Sequence, residues 1–292
     1  MALLFLWSLL GCGVGESHPS QVTDTRVVAV VATPPVPAPG DRVALEIYVA
    51  DPKARGLELL VWSCTPLGGE PCVESALGAN ERVFVSTDHA EGRFVLDAPI
   101  PAQLAELAAQ NGIEAIEARL WFLACAPERC PIIGEARRAL EAAEQGDPRP
   151  AERLADDLAE PQEWLRELPL AGVSLASRAL PMSQSPEGLN SNPILTERFR
   201  TEAERDAGAF RVTPGDARSL RFRVEDGDGH RTDAYAYTTV GRFDDDEVLE
   251  STDDGVVHWL IAPEEPTTGR VWVVVDDDRG GRAVWTQPVE VR

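Results

Sequence analysis

The side chains best suited to chemistry in this sequence are acids placed in turns. Glu225-Asp226-Gly227-Asp228-Gly229 follows an apolar alternation, and Asp276-Asp277-Asp278 follows a run of valines. Asp244-Asp245-Asp246-Glu247 and Asp253-Asp254 add further carboxylates. Hard oxygen ligands carried on loops are what Ca²⁺ requires. The loops at 225–230 and 276–279 are expected to share one end of a β-sandwich. That would set Asp226, Asp228, Asp276 and Asp278 around one small volume, where a divalent cation relieves their mutual repulsion. The spacing is not that of an EF-hand, because the twelfth residue counted from Asp226 is Tyr237, where such a loop needs Glu. An acid in a turn also serves simply as a solvated turn residue, and the residues alone leave both readings open.

Five cysteines are present. Met1 to Leu10 is almost wholly apolar, too short to span a bilayer, which takes about 20 residues, and it fits the h-region of a signal peptide. It runs into Leu9-Leu10-Gly11-Cys12, which resembles the lipobox of bacterial lipoproteins, although no Lys or Arg precedes Cys12. The resemblance implies that Cys12 is lipidated and that residues 1–12 are signal peptide and lipobox. It also implies a chain anchored to the membrane rather than spanning it. Gly13, not Asp, follows the cysteine, which by enterobacterial sorting rules points to the outer membrane. Cys64, Cys72, Cys125 and Cys130 remain, an even number that reads as two disulfides in an exported chain. Of the three pairings, the local one is favoured. Cys64 and Cys125 each end a Trp-bearing strand (Trp62, Trp121), and a proline stands two residues on, so Cys64–Cys72 and Cys125–Cys130 would each close a loop. A four-thiolate zinc site is opposed by oxidising surroundings and uneven spacing.

The four histidines, His18, His89, His230 and His258, fall in no His-Glu-x-x-His pattern, and no Gly-x-Ser-x-Gly motif occurs. No enzyme is expected. Trp259, Trp272 and Trp285 have apolar neighbours and are expected in a core. Exposed on a sandwich, they would offer rings on which sugars stack.

The elements that must position these groups follow from composition and pattern. A chain of 292 residues predicts two domains. Plentiful Gly and Pro suit many short strands. The net charge of -22 repels nucleic acid, so no phosphate-backbone partner is expected. Residues 13–25 read as a tether. Val43, Leu45, Ile47 and Val49 alternate after a Pro-rich turn and end at Asp51. The pattern recurs in the second half without a gap: Pro39, Gly40 and Asp41 match Pro214, Gly215 and Asp216, then Leu45, Ile47 and Val49 match Leu220, Phe222 and Val224, and Asp51 matches Asp226. One unit used twice predicts a mainly β protein of two immunoglobulin-like (Ig-like) antiparallel β-sandwiches. Pro101 to Asn111 reads as a short helix. Residues 131–168, rich in Ala, Leu, Glu and Arg, read as helices inserted between the last two strands of the first sandwich, with a free helical linker as the alternative. The boundaries are then 26–182 for the first domain, 183–192 for a polar linker and 193–292 for the second.

The chain resembles a broad group of uncharacterised cell-surface lipoproteins known mostly from myxobacteria. The likeness rests on the Pro-x-Pro-Gly-Asp turn and strand at 37–51. It rests also on the Val-rich strand, Asp-Arg-Gly-Gly turn and Trp strand at 271–285. It implies a lipid-anchored envelope protein that presents Ig-like domains for non-enzymatic binding or structural contact, with a protein or glycan as partner. The alternatives are a carbohydrate- or calcium-dependent binding module, or an accessory subunit of an envelope enzyme or secretion system.

Overall fold

The computed structural model describes residues 20–53, 55–64, 83–86, 92–100, 106, 110, 116–126, 128–150, 153–154, 171–182, 190–197, 210–244, 249–250 and 255–292. The first half supplies β1 (Arg26–Thr33), β2 (Arg42–Ala50), β3 (Glu58–Cys64), β4 (Val83–Ser86), β5 (Arg93–Pro99), β6 (Ile116–Cys125), the helix α1 (Pro131–Glu144) and β7 (Val173–Met182). Its strands form two antiparallel sheets, in the orders β1-β2-β5 and β4-β3-β6-β7. In Ig lettering these are A-B-E facing C′-C-F-G. Alternation sends Val43, Leu45, Ile47 and Val49 of β2 inward to meet Leu59, Val61, Phe94, Leu120 and Phe122.

The second half supplies β8 (Ile194–Glu197), β9 (Phe210–Val212), β10 (Ala217–Glu225), β11 (Thr232–Thr238), β12 (Arg242–Phe243), β13 (Leu249–Glu250), β14 (Val256–Ile261), β15 (Thr267–Asp277) and β16 (Arg282–Val291). The sheets run β12-β14-β10-β8 and β13-β11-β15-β16-β9. β8 pairs antiparallel with β10, while β9 runs parallel to β16. The opening strand is thus divided between the two sheets of an Ig-like sandwich.

The internal repeat is visible in hydrogen bonds. Gly40 (φ 91°) and Gly215 (φ 76°) occupy the left-handed region that the turn before each B strand requires. Gly40 N–H donates to Ile100 O (2.9 Å) and Gly215 N–H to Pro263 O (3.0 Å). Ile100 and Ala262 N–H return bonds to the carbonyls of Asp41 (2.8 Å) and Asp216 (2.9 Å). In both sandwiches the turn before strand B is fastened to the end of strand E.

The helical insertion lies between β6 and β7, as the pattern predicted. α1 lays Ile132, Ile133, Ala136 and Ala139 on the outer face of the β3/β6 sheet, over Leu60, Trp62 and Leu123. Trp62 and Trp121, register partners on adjacent strands, stack at 6.1 Å. The sheet is therefore covered on both faces, which explains why Leu59 to Trp62 are apolar without alternation. Arg137 pairs with Glu58 (2.5 Å), and Cys125 is joined to Cys130, the residue that precedes α1. Of the two other expected helices, the described residues Glu106 and Gln110 of the first and Arg153 and Leu154 of the second are helical.

One expectation needs correcting. Residues 20–25, read as part of a tether, are built into the fold. Val22 N–H donates to Thr238 O (2.7 Å), Thr238 N–H to Ser20 O (2.8 Å) and Phe243 N–H to Ser20 Oγ (2.9 Å). Val22 is apolar and joins a core made by both halves, so burial and backbone pairing hold the segment. That core sets Val28, Ala29, Tyr48 and Ala50 of the first sandwich against Tyr237, Trp272 and Val274 of the second. Arg26 sits 4.7 Å above the Tyr237 ring, a cation–π contact across the junction.

The Cys125–Cys130 bridge closes a short loop, and the chain-entropy model gives about 2 kcal/mol for one of that length. The Cys125→Ser/Cys130→Ser double variant should lose about that much stability in urea unfolding. An unchanged midpoint would mean that the apolar face of α1 docks without it.

Candidate functional site at the domain junction

The acids singled out in the sequence share one local construction. Asp51 Oδ accepts from the N–H of Lys53 (3.4 Å) and Arg55 (2.7 Å). Asp226 accepts from Asp228 (3.2 Å) and His230 (2.5 Å), and Asp277 from Arg279 (2.8 Å) and Gly281 (2.7 Å). In each turn a carboxylate at a strand end takes the donors two and four residues on. A charged acceptor satisfies backbone donors that the ended ladder would leave unpaired.

The loops at 225–230 and 276–279 do share one end of the second sandwich. Asp278 N–H donates to Arg231 O (3.2 Å), and His230 Nδ1 lies 3.6 Å from Asp278. The four acids do not converge on one volume, however. Asp226 turns into its own loop. Asp276 is held by Arg282 and by the Tyr235 hydroxyl. Asp228 accepts from the N–H (2.9 Å) and Oγ–H (2.6 Å) of Ser191, which hold its carboxyl below the usual range. Among the described residues no group of three or more His, Cys, Asp or Glu is arranged to hold a metal ion.

What these acids grip is the segment between the two sandwiches. Asn190 Nδ2 donates to Asp277 (2.9 Å) and Asn192 Nδ2 to Ala32 O (2.8 Å), while Asn192 Oδ1 accepts from Arg282 N–H (2.8 Å). Arg178, half-buried in the junction, donates to Val30 O of the first sandwich and Gly280 O of the second, each at 2.5 Å. Burial first, then the neighbouring Arg282, pushes its guanidinium down to about 9. On the other side Arg55 clasps Asp24 (2.8 Å) and Asp51 (2.6 Å), and holds the Asp24 carboxyl down at about 2. Between the sandwiches lies a cleft of about 430 Å³, lined by Asp51, Arg55, Thr268, Arg270 and Trp272 among others. Of the expected linker 183–192, the described residues are 190–192, and composition did not carry their grip on both sandwiches. The signal was there in Asn190-Ser191-Asn192, three side chains able to bond backbone.

Cys12, Cys72, His18 and His89 lie outside the described residues, and so does the expected Cys64–Cys72 bridge. Trp285 half-buries edge-on against Phe222 (5.0 Å), inside the second core as expected. Trp272 belongs to the core between the sandwiches. Trp259 departs from expectation. Val256, His258 and Leu260 face inward, so strand periodicity turns Trp259 outward, 42% exposed. His258 takes the inward place that sequence reading left unassigned. It is fully buried beside Phe243, without a hydrogen-bond partner at either ring nitrogen, and desolvation pushes it down to about 4.

No family model matches the chain, and no curated protein does. Among solved structures it is similar to the fibronectin(III)-like modules of Clostridium thermocellum CbhA (11% identity, 90% of this chain and 94% of that one, TM-score 0.24). It is similar also to the titin domains z1z2 in complex with telethonin (13%, 94% and 96%, TM-score 0.23) and the tandem Ig repeats of Dlar (10%, 94% and 98%, TM-score 0.28). At these scores the alignments carry no argument, and the strand order described above is what assigns the fold.

Two measurements check the junction. Asp277→Ala removes the acceptor of three donors, two of them backbone, and should cost about 2–4 kcal/mol in chemical denaturation. Asp228→Ala, at an exposed position, should cost below about 1 kcal/mol; equal small losses would show that capping does not hold the turn. For His258 the unfolded ring binds its proton near pH 6.5 and the folded ring only near 4. Stability should therefore fall as pH drops from 6.5 towards 4, by about 3 kcal/mol at most. His258→Leu should remove that slope, and an identical pH profile would refute it.

Proposed function

We propose that the chain is an envelope lipoprotein, held at the outer membrane through lipidated Cys12, whose two sandwiches act together as one non-catalytic binding or structural unit. The observation that carries this is the junction. An apolar core drawn from both sandwiches, a linker segment held by Asp228 and Asp277, and an Arg178 bonded to a carbonyl of each sandwich join the two halves. Such a construction gives fixed surfaces to present, whereas a chain of independent beads would need no arginine bonded to both of them. The apolar run ending at Gly11-Cys12 supports the anchor. The exposed Trp259 favours, within this reading, a module that holds a glycan.

Expressed from its own start in a bacterial host, the protein should incorporate labelled palmitate and partition into detergent. Cys12→Ser should abolish both, and labelling that survives the substitution would remove the anchor from this proposal.

A further inference from the structure

Most edges of these sheets are short or taken. β4, β8, β9, β12 and β13 have four residues or fewer. β1 and β7 are longer, but they are bonded to each other: Val27 N–H donates to Ser174 Oγ (2.8 Å), and Arg178 to Val30 O. β5 differs. It has seven residues, pairs with β2 alone among the described strands, and carries Val95, 59% exposed. The bonds at its two ends fix where its backbone points. Val49 N–H donates to Gly92 O (2.7 Å) and Ile100 N–H to Asp41 O (2.8 Å), so Gly92, Phe94, Leu96, Ala98 and Ile100 turn their polar groups to β2. Arg93, Val95 and Asp97 then turn theirs the other way, and no partner takes them among the described residues. Pro99, next in that series, has no N–H to offer. The side chains of Arg93, Val95 and Asp97 lie on the outer face of the sheet, because Phe94 and Ala98 point into the core.

We propose that β5 is a self-association edge, pairing antiparallel with β5 of a second copy about a two-fold axis at Val95. The inference goes beyond the binding-unit reading and does not need the lipid anchor. The strand's own charge pattern selects a second copy. Arg93-Phe94-Val95-Leu96-Asp97, read in reverse, is its own complement. Centred on Val95, the pairing sets Arg93 of each copy opposite Asp97 of the other and Val95 opposite Val95, and it gives every outward N–H an outward carbonyl. Sliding one strand by two residues sets Arg93 opposite Val95 or the donorless Pro99. A strand of arbitrary sequence leaves both charges unanswered, which is how charged edges turn other chains away. Arg93 holds Glu46 through Nη2 (2.7 Å) and Nε (3.1 Å), two of its five N–H groups, and three remain. Asp97 is exposed and has no ion pair among the described residues. The net charge of -22 opposes association at long range, but physiological salt screens it within about 8 Å. Within that distance Arg42 and Arg93 balance Glu46 and Asp97 on the outer face of β2 and β5. One short strand from each copy buries far less than the roughly 800 Å² per partner of a stable interface, so the dimer is weak and reversible.

The test is sedimentation equilibrium of the full chain bearing Cys12→Ser, so that neither a lipid nor that thiol joins copies. Dimer should be absent at about 10 µM and populated at about 1 mM. Val95→Pro removes an N–H that the fold does not use, at an edge position where proline is tolerated, and should leave the chain monomeric throughout. Arg93→Asp and Asp97→Arg each set like charges opposite one another and should each weaken dimerisation about tenfold. Mixed in equal amounts, these two variants meet with opposite charges at both ends, and dimer should return to within about threefold of the unsubstituted chain. A chain still monomeric at about 1 mM would overturn the proposal. So would a dimer that persists in folded Val95→Pro, because the interface would then lie elsewhere. If Val95→Pro does not fold, the charge variants decide: loss in each without recovery in the mixture would overturn the pairing.

Discussion

A carboxylate placed at the end of a strand, taking the backbone N–H groups two and four residues on, is the interaction on which the rest of this molecule is built. When a ladder ends, its donors lose their partners, and a charged acceptor fixed at the end of the strand, its last residue or the next one, recovers them within a single turn. Asp51, Asp226 and Asp277 all do this. Once the turn is closed, its remaining groups become available to something else. The free oxygen of Asp277 takes Asn190, the Asp51 carboxylate takes the Arg55 side chain, and the turn closed by Asp226 presents Asp228 to Ser191. Turn closure and domain docking are consequently one network.

This explains why the fold was readable from sequence and the use of its acids was not. Period-two alternation at Val43–Val49 and Leu220–Val224, with the Pro-Gly-Asp turn ahead of each, was enough to place the two B strands and pair the domains. The helical insertion could be placed because its composition changed abruptly after Cys130. What composition does not carry is direction. Asp226 and Asp277 point into their own turns, a matter of two or four residues of backbone, and the same letters would have served a metal had they pointed outward. Trp259 and His258 show the same limit. They are adjacent, both sit among apolar neighbours, and strand parity alone decides that the indole faces water and the imidazole the core.

Layering settles the remaining apolar runs. β15 is buried on both sides because one face closes the second sandwich through Val271 and Val273 while the other, through Trp272 and Val274, meets the first. β3 and β6 are doubly buried because α1 roofs them. Continuous apolar stretches in an antiparallel protein thus mark the places where a third layer is added.

The segment Ser20–Val22 bonds to Thr238, more than two hundred residues away along the chain. During synthesis it must wait: its partner strand does not exist until more than two hundred further residues have been made. Until then Val28, Tyr48 and Ala50 form an uncovered apolar surface on a first sandwich that is otherwise complete. Ser20–Val22 is therefore among the last segments to be seated, and the nascent chain carries a sticky face that invites either a holding chaperone or its own kind.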